Sequence, residues 1–305
     1  MSFNNTILIV GGTGFIGYHL AKKSLKKGWK VTSISSSKPK KIRYLSKVKY
    51  LICDITNIKS LKNIKKSFKY IVNLGGYVDH SNNRKTYRSH YLGCKNLTKV
   101  FLENPPKSFV QMGSSVEYGN LKSPQKEDFK YNFKSVKSIY GKSKLLASKH
   151  LIDLFNKKKF PSTILRLYLA YGPKQDINRF IPIIVKGCLK NEKFPCSRGN
   201  QLRDFVHVDD VVEAIFRTLK SKKARGQIIN IGSGQPRKIK LIIEKIKKIS
   251  KGGHPQFGKI KLRKDEIQKI YPSIKKAKNI IKWKPKTSFE KGLKSTIKFY
   301  NEQKI

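Results

Sequence analysis

An apolar run, Ile7-Leu8-Ile9-Val10, passes directly into Gly11-Gly12-Thr13-Gly14-Phe15-Ile16-Gly17, and a helical pattern of Phe15, Ile16, His19, Leu20, Ser24 and Leu25 follows. Few folds accept that succession. A strand that feeds a tight glycine turn into a helix N-terminus builds a phosphate cradle. Glycine takes backbone shapes that other residues resist and lets the main chain approach a pyrophosphate, while the helix end presents unpaired N–H groups. Gly11, Thr13, Gly14, Phe15, Ile16 and Gly17 are therefore candidate dinucleotide contacts. The first 53 residues contain no Asp or Glu. An NAD site usually sets an acidic residue about 20 residues on, at the end of the second strand, to hold the ribose hydroxyls. Here that place reads Val31-Thr32-Ser33-Ile34-Ser35-Ser36-Ser37-Lys38-Pro39-Lys40-Lys41. Ser35, Ser36 and Lys38 suit a 2′-phosphate, so the expected cofactor is NADP(H), with NAD as the alternative.

The rest of the N-terminal half keeps the same rhythm. Strands are predicted at 7–10, 31–35, 50–53, 70–74, 108–112 and 163–167, and helices near 15–27, 58–66, 86–102 and 138–155. That alternation predicts an α/β fold of the Rossmann type, a doubly wound parallel sheet with helices on both faces. Gly28 stands where a glycine commonly ends a helix. After Leu167 the pattern is broken by Pro, Gly and charged residues, with helices predicted at 209–219, 240–250 and 289–301. The expected organisation is a dinucleotide-binding domain over 1–167, with returning segments near 203–232. A smaller α/β C-terminal substrate domain over 168–305 is interleaved with it.

Further candidates follow the strands in order. Asp54, after the third strand, can accept from an adenine amino group, with Ile55 packing on the ring. Leu74-Gly75-Gly76, ending the fourth, lets backbone pass close to the cofactor. Asp54 also reads as a helix cap and the glycine pair as a turn. Tyr140 and Lys144 lie four apart on a predicted helix and so share a face. A cation near a phenol lowers its pKa and fits it to pass a proton to or from a sugar oxygen. Tyr18, Tyr91, Tyr118, Tyr271 and Tyr300 also have Lys four residues later. Context selects Tyr140, whose helix follows the fifth strand and stays slim through Ser143, Ala147 and Ser148. Ser114, in Gly113-Ser114-Ser115-Val116-Glu117-Tyr118-Gly119, offers a hydroxyl to a reacting oxygen.

Composition excludes little and warns once. A net charge of +50 fits nucleic-acid or anionic-substrate binding. The lysines are spread along the whole chain without a basic tail or a nucleic-acid motif, so a lysine-rich solvated surface is the expectation and no specific nucleic-acid partner is expected. Cys53, Cys94, Cys188 and Cys196 form no CxxC pair and read as free thiols in a reducing compartment. No metal site is expected. The first strand begins too early for a signal peptide and apolar runs such as 180–185 are too short for a bilayer, so the expectation is a cytoplasmic protein with no membrane association.

Together these residues resemble the extended short-chain dehydrogenases/reductases of the NAD-dependent epimerase/dehydratase family, which act on nucleotide sugars. The resemblance runs through the glycine turn, the Ser114 turn, Tyr140-Gly141-Lys142-Ser143-Lys144 and Leu165-Arg166-Leu167-Tyr168-Leu169-Ala170-Tyr171-Gly172-Pro173. It continues through Arg203-Asp204-Phe205-Val206-His207-Val208-Asp209-Asp210, Asn230-Ile231-Gly232-Ser233-Gly234 and Trp283-Lys284-Pro285. It implies catalysis by Ser114, Tyr140 and Lys144, with Tyr140 and Lys144 also touching the cofactor. Substrate contacts are implied from Ser114, Ser115, Arg203 and Arg263, the two arginines toward the diphosphate, and a homodimer through the helices near 86–102 and 138–155. The departures narrow the reaction. Family dehydratases carry an Asp-Glu pair where Ser115 and Val116 stand, with Glu117 out of register, and the double epimerase-reductases place a Cys in the same turn. His90 and Leu169 stand where Asn is usual. The expected activity is NADPH-dependent reduction of a 4-keto nucleotide sugar, a 6-deoxy sugar bound for a surface polysaccharide. The alternatives are a 4-epimerase with tightly bound NAD and, more remotely, a non-catalytic NADP- or RNA-binding module.

Overall fold

The computed structural model describes residues 5–62, 64, 67–77, 79, 81–128, 133–262 and 266–303. Strands β1 (Thr6–Val10), β2 (Lys30–Ser35), β3 (Val48–Ile52), β4 (Tyr70–Asn73), β5 (Ser108–Ser114) and β6 (Ser162–Leu167) join Ile228–Ile231 in one seven-stranded sheet. The order is β3-β2-β1-β4-β5-β6 and then Ile228–Ile231. Every pairing is parallel. Strand order reverses between β1 and β4, which opens a crevice at the carboxyl ends of the strands.

A parallel sheet needs cover on both faces, and the sequence of β1 supplies it. Ile7 and Ile9 enter one core with Leu20, Val211 and Ile215, from the helices Phe15–Lys26 and Val208–Lys220. Leu8 and Val10 enter the opposite core with Leu97, Ala147 and Leu151, from Gly93–Val100 and Ile139–Lys158. Alternation of side chains across a strand explains why the run reads as continuously apolar. Gly28, at φ +71°, ends the first helix as expected. Its N–H donates to Leu25 O at 2.9 Å and the Trp29 N–H to Ser24 O at 3.1 Å.

All six predicted strands form. β5 runs past the expected residue 112, so Ser114 is its last residue rather than lying beyond it. The helix expected over 58–66 forms over Ile58–Lys62, and positions 63, 65 and 66 lie outside the described residues. The helix expected from 86 begins at Asn83, where the Asn82 side chain accepts from the Lys85 N–H at 2.9 Å. A π-turn over Arg88–Leu92 interrupts it before Gly93–Val100. Such one-residue insertions recur at functional sites.

The helices Val208–Lys220, Ile239–Ser250 and Phe289–Glu302 match expectation within one residue. Phe180–Leu189 was not foreseen as a helix; its Pro182 falls in the first turn, where proline is tolerated. Ile181, Ile184 and Val185 pack with Ile242, Ile243, Ile246, Leu293 and Ile297 in a third core that contains no residue of the seven-stranded sheet. Asp210, on the helix Val208–Lys220 that covers the sheet, ties that helix to the segment leading into Phe289–Glu302. Its carboxylate accepts the N–H groups of Lys286 at 2.8 Å and Thr287 at 3.0 Å, and its carbonyl accepts Trp283 Nε1 at 3.0 Å. The four cysteines are buried and unbridged. Among the described residues no helix is long and apolar enough to cross a membrane.

Candidate active site

A cleft of about 840 Å³ opens at the carboxyl ends of the strands. Gly11, Thr13, Gly14, Ser35, Ser36, Asp54, Ile55, Leu74, Gly75 and Gly76, all expected from sequence, line it. Gly11, at φ +76°, brings the turn against β4: a Cβ there would sit 3.1 Å from backbone atoms of both Leu74 and Gly75. No side chain caps the helix at Gly14 and its first turn holds no acidic residue, which leaves its N-terminal N–H groups and positive dipole end for an anion. Phe15, Ile16 and Gly17 do not line the cleft. Gly17 instead packs on the turn, and the Phe15 ring meets His19 edge-on at 5.5 Å.

The adenosine end fits a dinucleotide with one adjustment. Among the described residues, Ser35 Oγ is buried without a hydrogen-bond partner, so the wall carries an unmet polar group. The Asp54 carboxylate accepts Thr56 N–H at 2.8 Å and Thr56 Oγ1 at 3.0 Å. These bonds close a local turn rather than cap the following helix, where the Asn57 side chain accepts the Lys59 N–H at 3.0 Å, and Asp54 still faces the cleft. Lys38 is exposed and lies beyond the lining residues Ser35, Ser36 and Ser37. Lys40 and Arg43 are drawn to Asp176 at 3.3 and 3.0 Å, and the cations that line the cleft are Lys85 and Arg88.

β5 and the helix Ile139–Lys158 bring the reactive groups together. Ser138 caps that helix by accepting the Gly141 N–H at 3.1 Å, which places Tyr140 in its first turn over the end of β5. Tyr140 and Ser114 share a side-chain hydrogen bond. Lys144 is buried one turn on, with its Nζ 5.9 Å from the Tyr140 ring centre and donating to Met112 O at 2.7 Å. Burial pushes the Tyr140 phenol above 10.0; the Ser114 bond pulls it back, Glu117 adds to the rise and Arg179 opposes it. The net direction is opposite to the lowering expected from Lys144, because loss of hydration outweighs the neighbouring cations. Lys144 is itself lowered to about 8 by burial, with Glu117 and Cys94 holding it up.

Two neighbours of Tyr140 were not among the expected site residues. His90 in the π-turn meets the Tyr140 ring edge-on at 4.9 Å, and its ring packs on Gly76 so tightly that a Cβ there would lie 1.8 Å from Cε1. The residue type was noted in the sequence; its contact depends on the extra residue in the turn. Arg179 stands at the N-cap of Phe180–Leu189. A cation is disfavoured at that end of a helix, a signal readable once the helix is known. Ser115 opens the short turn Ser115–Tyr118 beside Ser114. The Arg203 guanidinium is engaged by the Glu266 carboxylate and by Leu202 O at 2.9 Å, so its charge is already paired. Arg263 lies outside the described residues. Asp204, next to Arg203, is architectural: its carboxylate accepts Ser233 N–H at 2.6 Å and Ser233 Oγ at 2.8 Å.

Comparison with known proteins bears on the family and the fold. The chain is 28% identical over 315 residues to a UDP-N-acetyl-alpha-D-glucosaminuronate decarboxylase of Bacillus cytotoxicus, covering 97% of each chain. It is 25% identical over 312 residues to a CDP-abequose synthase of Salmonella muenchen, covering 97% of this chain and 98% of that one. The fold superposes on a UDP-glucose 4-epimerase of Thermotoga maritima, solved with UDP-glucose, with a TM-score of 0.91 at 23% identity, covering 98% of this chain and 100% of that chain. Residues 7–232 match the NAD dependent epimerase/dehydratase family. The protein is an enzyme of that family, built on the extended short-chain dehydrogenase/reductase fold.

Proposed function

We propose that the chain is an NADPH-dependent reductase of a 4-keto nucleotide sugar. The observation that carries the reading is the end of β2, where Ser35, Ser36 and Ser37 wall the cleft and Lys38 follows, with no carboxylate to repel a 2′-phosphate. The missing Asp-Glu pair after Ser114 points away from dehydration. Gly11–Gly14, Ile55 and Gly75 would hold the dinucleotide, which when bound would supply the hydride for the carbonyl carbon. The Tyr140 phenol gives its proton to the carbonyl oxygen as that carbon is reduced, and Ser114 donates to the same oxygen as charge develops. Lys144, as ammonium, holds the cofactor ribose and the returning phenolate, which takes its next proton from solvent. Residues 168–305 close over the sugar, with Arg203 and Arg179 as cations for the diphosphate, and two copies pair through the helices near 86–102 and 138–155.

NADPH consumption across a panel of 4-keto nucleotide sugars tests the reading. Turnover of at least one, lost in Tyr140→Phe with the melting temperature kept, supports it; no consumption with any of them overturns it. A 4-epimerase is the second reading, favoured by a relative named UDP-glucuronate 4-epimerase at 25% identity. Purified protein carrying one NAD per chain would decide for it.

A further inference from the structure

The Glu117 carboxylate has no part in the scheme above, yet it is fully buried and touches every element that carries a reactive group. Its Oε1 accepts the Ser114 N–H at 2.8 Å. Its Oε2 accepts Ser148 Oγ at 2.7 Å and Arg166 Nε at 3.0 Å. Ser114 ends β5, Ser148 lies one turn beyond Lys144 on the helix of Tyr140, and Arg166 belongs to β6. One carboxylate therefore clasps two strands and the helix. Gly113 makes room for it, since a Cβ there would stand 2.5 Å from Glu117 Oε1.

We propose that Glu117 is a positioning residue: its carboxylate locks Ser114 against the Tyr140–Lys144 helix and is the acidic partner against which the Lys144 ammonium is held. The inference rests on the reading of Ser114, Tyr140 and Lys144 as the reacting set. A buried ion pair with Arg166 alone is an ordinary structural device and often replaceable. The clasp differs because two of its three donors belong to the segments carrying the reacting groups. Its charge also reaches both of them, raising Lys144 and Tyr140 alike. The other groups facing Lys144 are Cys94 from the helix Gly93–Val100 and Tyr140 from its own helix. Tyr140 in turn is faced by Arg179 and His90.

Glu117→Gln keeps the shape and removes the charge. Binding of NADPH and NADH, followed by their fluorescence from pH 6 to 9, reads the Lys144 ammonium without any sugar. Wild-type affinity should fall as pH rises through about 8. In Glu117→Gln the midpoint should drop by about one pH unit, making binding about fivefold weaker than wild type at pH 8. A variant that melts like wild type and keeps the wild-type midpoint overturns the proposal. Ser148→Ala keeps the charge and loosens the clasp, and serves if Glu117→Gln does not fold. It should lower kcat about three- to tenfold with KM and the midpoint unchanged, and an unaltered kcat would likewise refute the clasp. A shifted midpoint in a protein that reduces none of the sugars supports Glu117 and sinks the reductase reading instead.

Discussion

Gly17 gives the sharpest test of how the glycine turn and its helix fit together. A Cβ at residue 17 would lie 2.3 Å from Gly11 O, 2.6 Å from Gly12 Cα and 2.9 Å from Gly12 C. All three are main-chain atoms of the turn, so no rotamer change relieves the clash and the helix or the turn must move. Overpacking of this kind costs about 1–3 kcal/mol. Each kcal/mol corresponds to about 2–4 °C in a domain near this size, so Gly17→Ala should melt about 2–12 °C below wild type. A displaced turn also aims its N–H groups wrongly. At a hundredfold excess over Kd, NADPH should stabilise wild type by about 2.7 kcal/mol, and a tenfold loss of affinity would roughly halve that gain. Thermal melting with and without NADPH reads both quantities. Gly28→Ala is the control: φ is +71° but nothing lies within 4 Å of its Cβ. It should cost about 1–2 kcal/mol from backbone strain alone and keep the full cofactor shift. A Gly17→Ala protein with wild-type melting and a wild-type cofactor shift would refute the reasoning.

Ser35→Asp places a carboxylate at the end of β2 and should weaken NADPH relative to NADH by about tenfold or more, about 1.4 kcal/mol. Equal affinities in the variant and wild type would show that this wall does not face the 2′ position. Glu266→Gln frees the Arg203 guanidinium and should lower KM for the nucleotide sugar, whereas Arg203→Ala should raise it, by about tenfold. The same direction of change in both variants contradicts the diphosphate role. His19 is mostly buried, with Nε2 2.9 Å from Pro173 O and burial lowering its pKa to about 4. The folded value lies below the unfolded 6.5, so the unfolded chain binds more protons between them and stability is lost as pH falls through that window. The loss should reach about 3 kcal/mol at pH 4. Urea unfolding from pH 6.5 to 4 should show this slope in wild type and a flatter one in His19→Gln.

The N-terminal half was legible because its signals are local. Ile7–Val10 announces a strand covered on both faces, and the glycine turn behind it can lead only to a cleft. In the C-terminal half the three predicted helices were equally legible, but the strands were not, since Leu202–Arg203, Arg237–Lys238 and Lys269–Ile270 have two residues each, too short to show a period. The spacing of Tyr140 and Lys144 carried their convergence, whereas the direction of the Tyr140 shift depends on burial that no spacing reveals. Of the two weighed readings of Asp54, the structure keeps the cleft-facing one, since the helix cap falls to Asn57. Glu117 was read only as an acid out of register. The box Ser114-Ser115-Val116-Glu117, a hydroxyl followed three residues later by Glu, was the available sign that its carboxylate turns back toward Ser114.

The seventh strand, Ile228–Ile231, pairs with β6 only after the chain has travelled out through Phe180–Leu189 and back through Val208–Lys220. On the ribosome, the first six strands therefore emerge with the outer hydrogen-bonding edge of β6 bare until residue 231 arrives. An unpaired parallel edge is a template for other chains, so nascent protein passes through an aggregation-sensitive interval whose length is set by topology. A fragment stopping at residue 167 should accordingly precipitate, and one that stayed monomeric and folded would show that the late strand is dispensable.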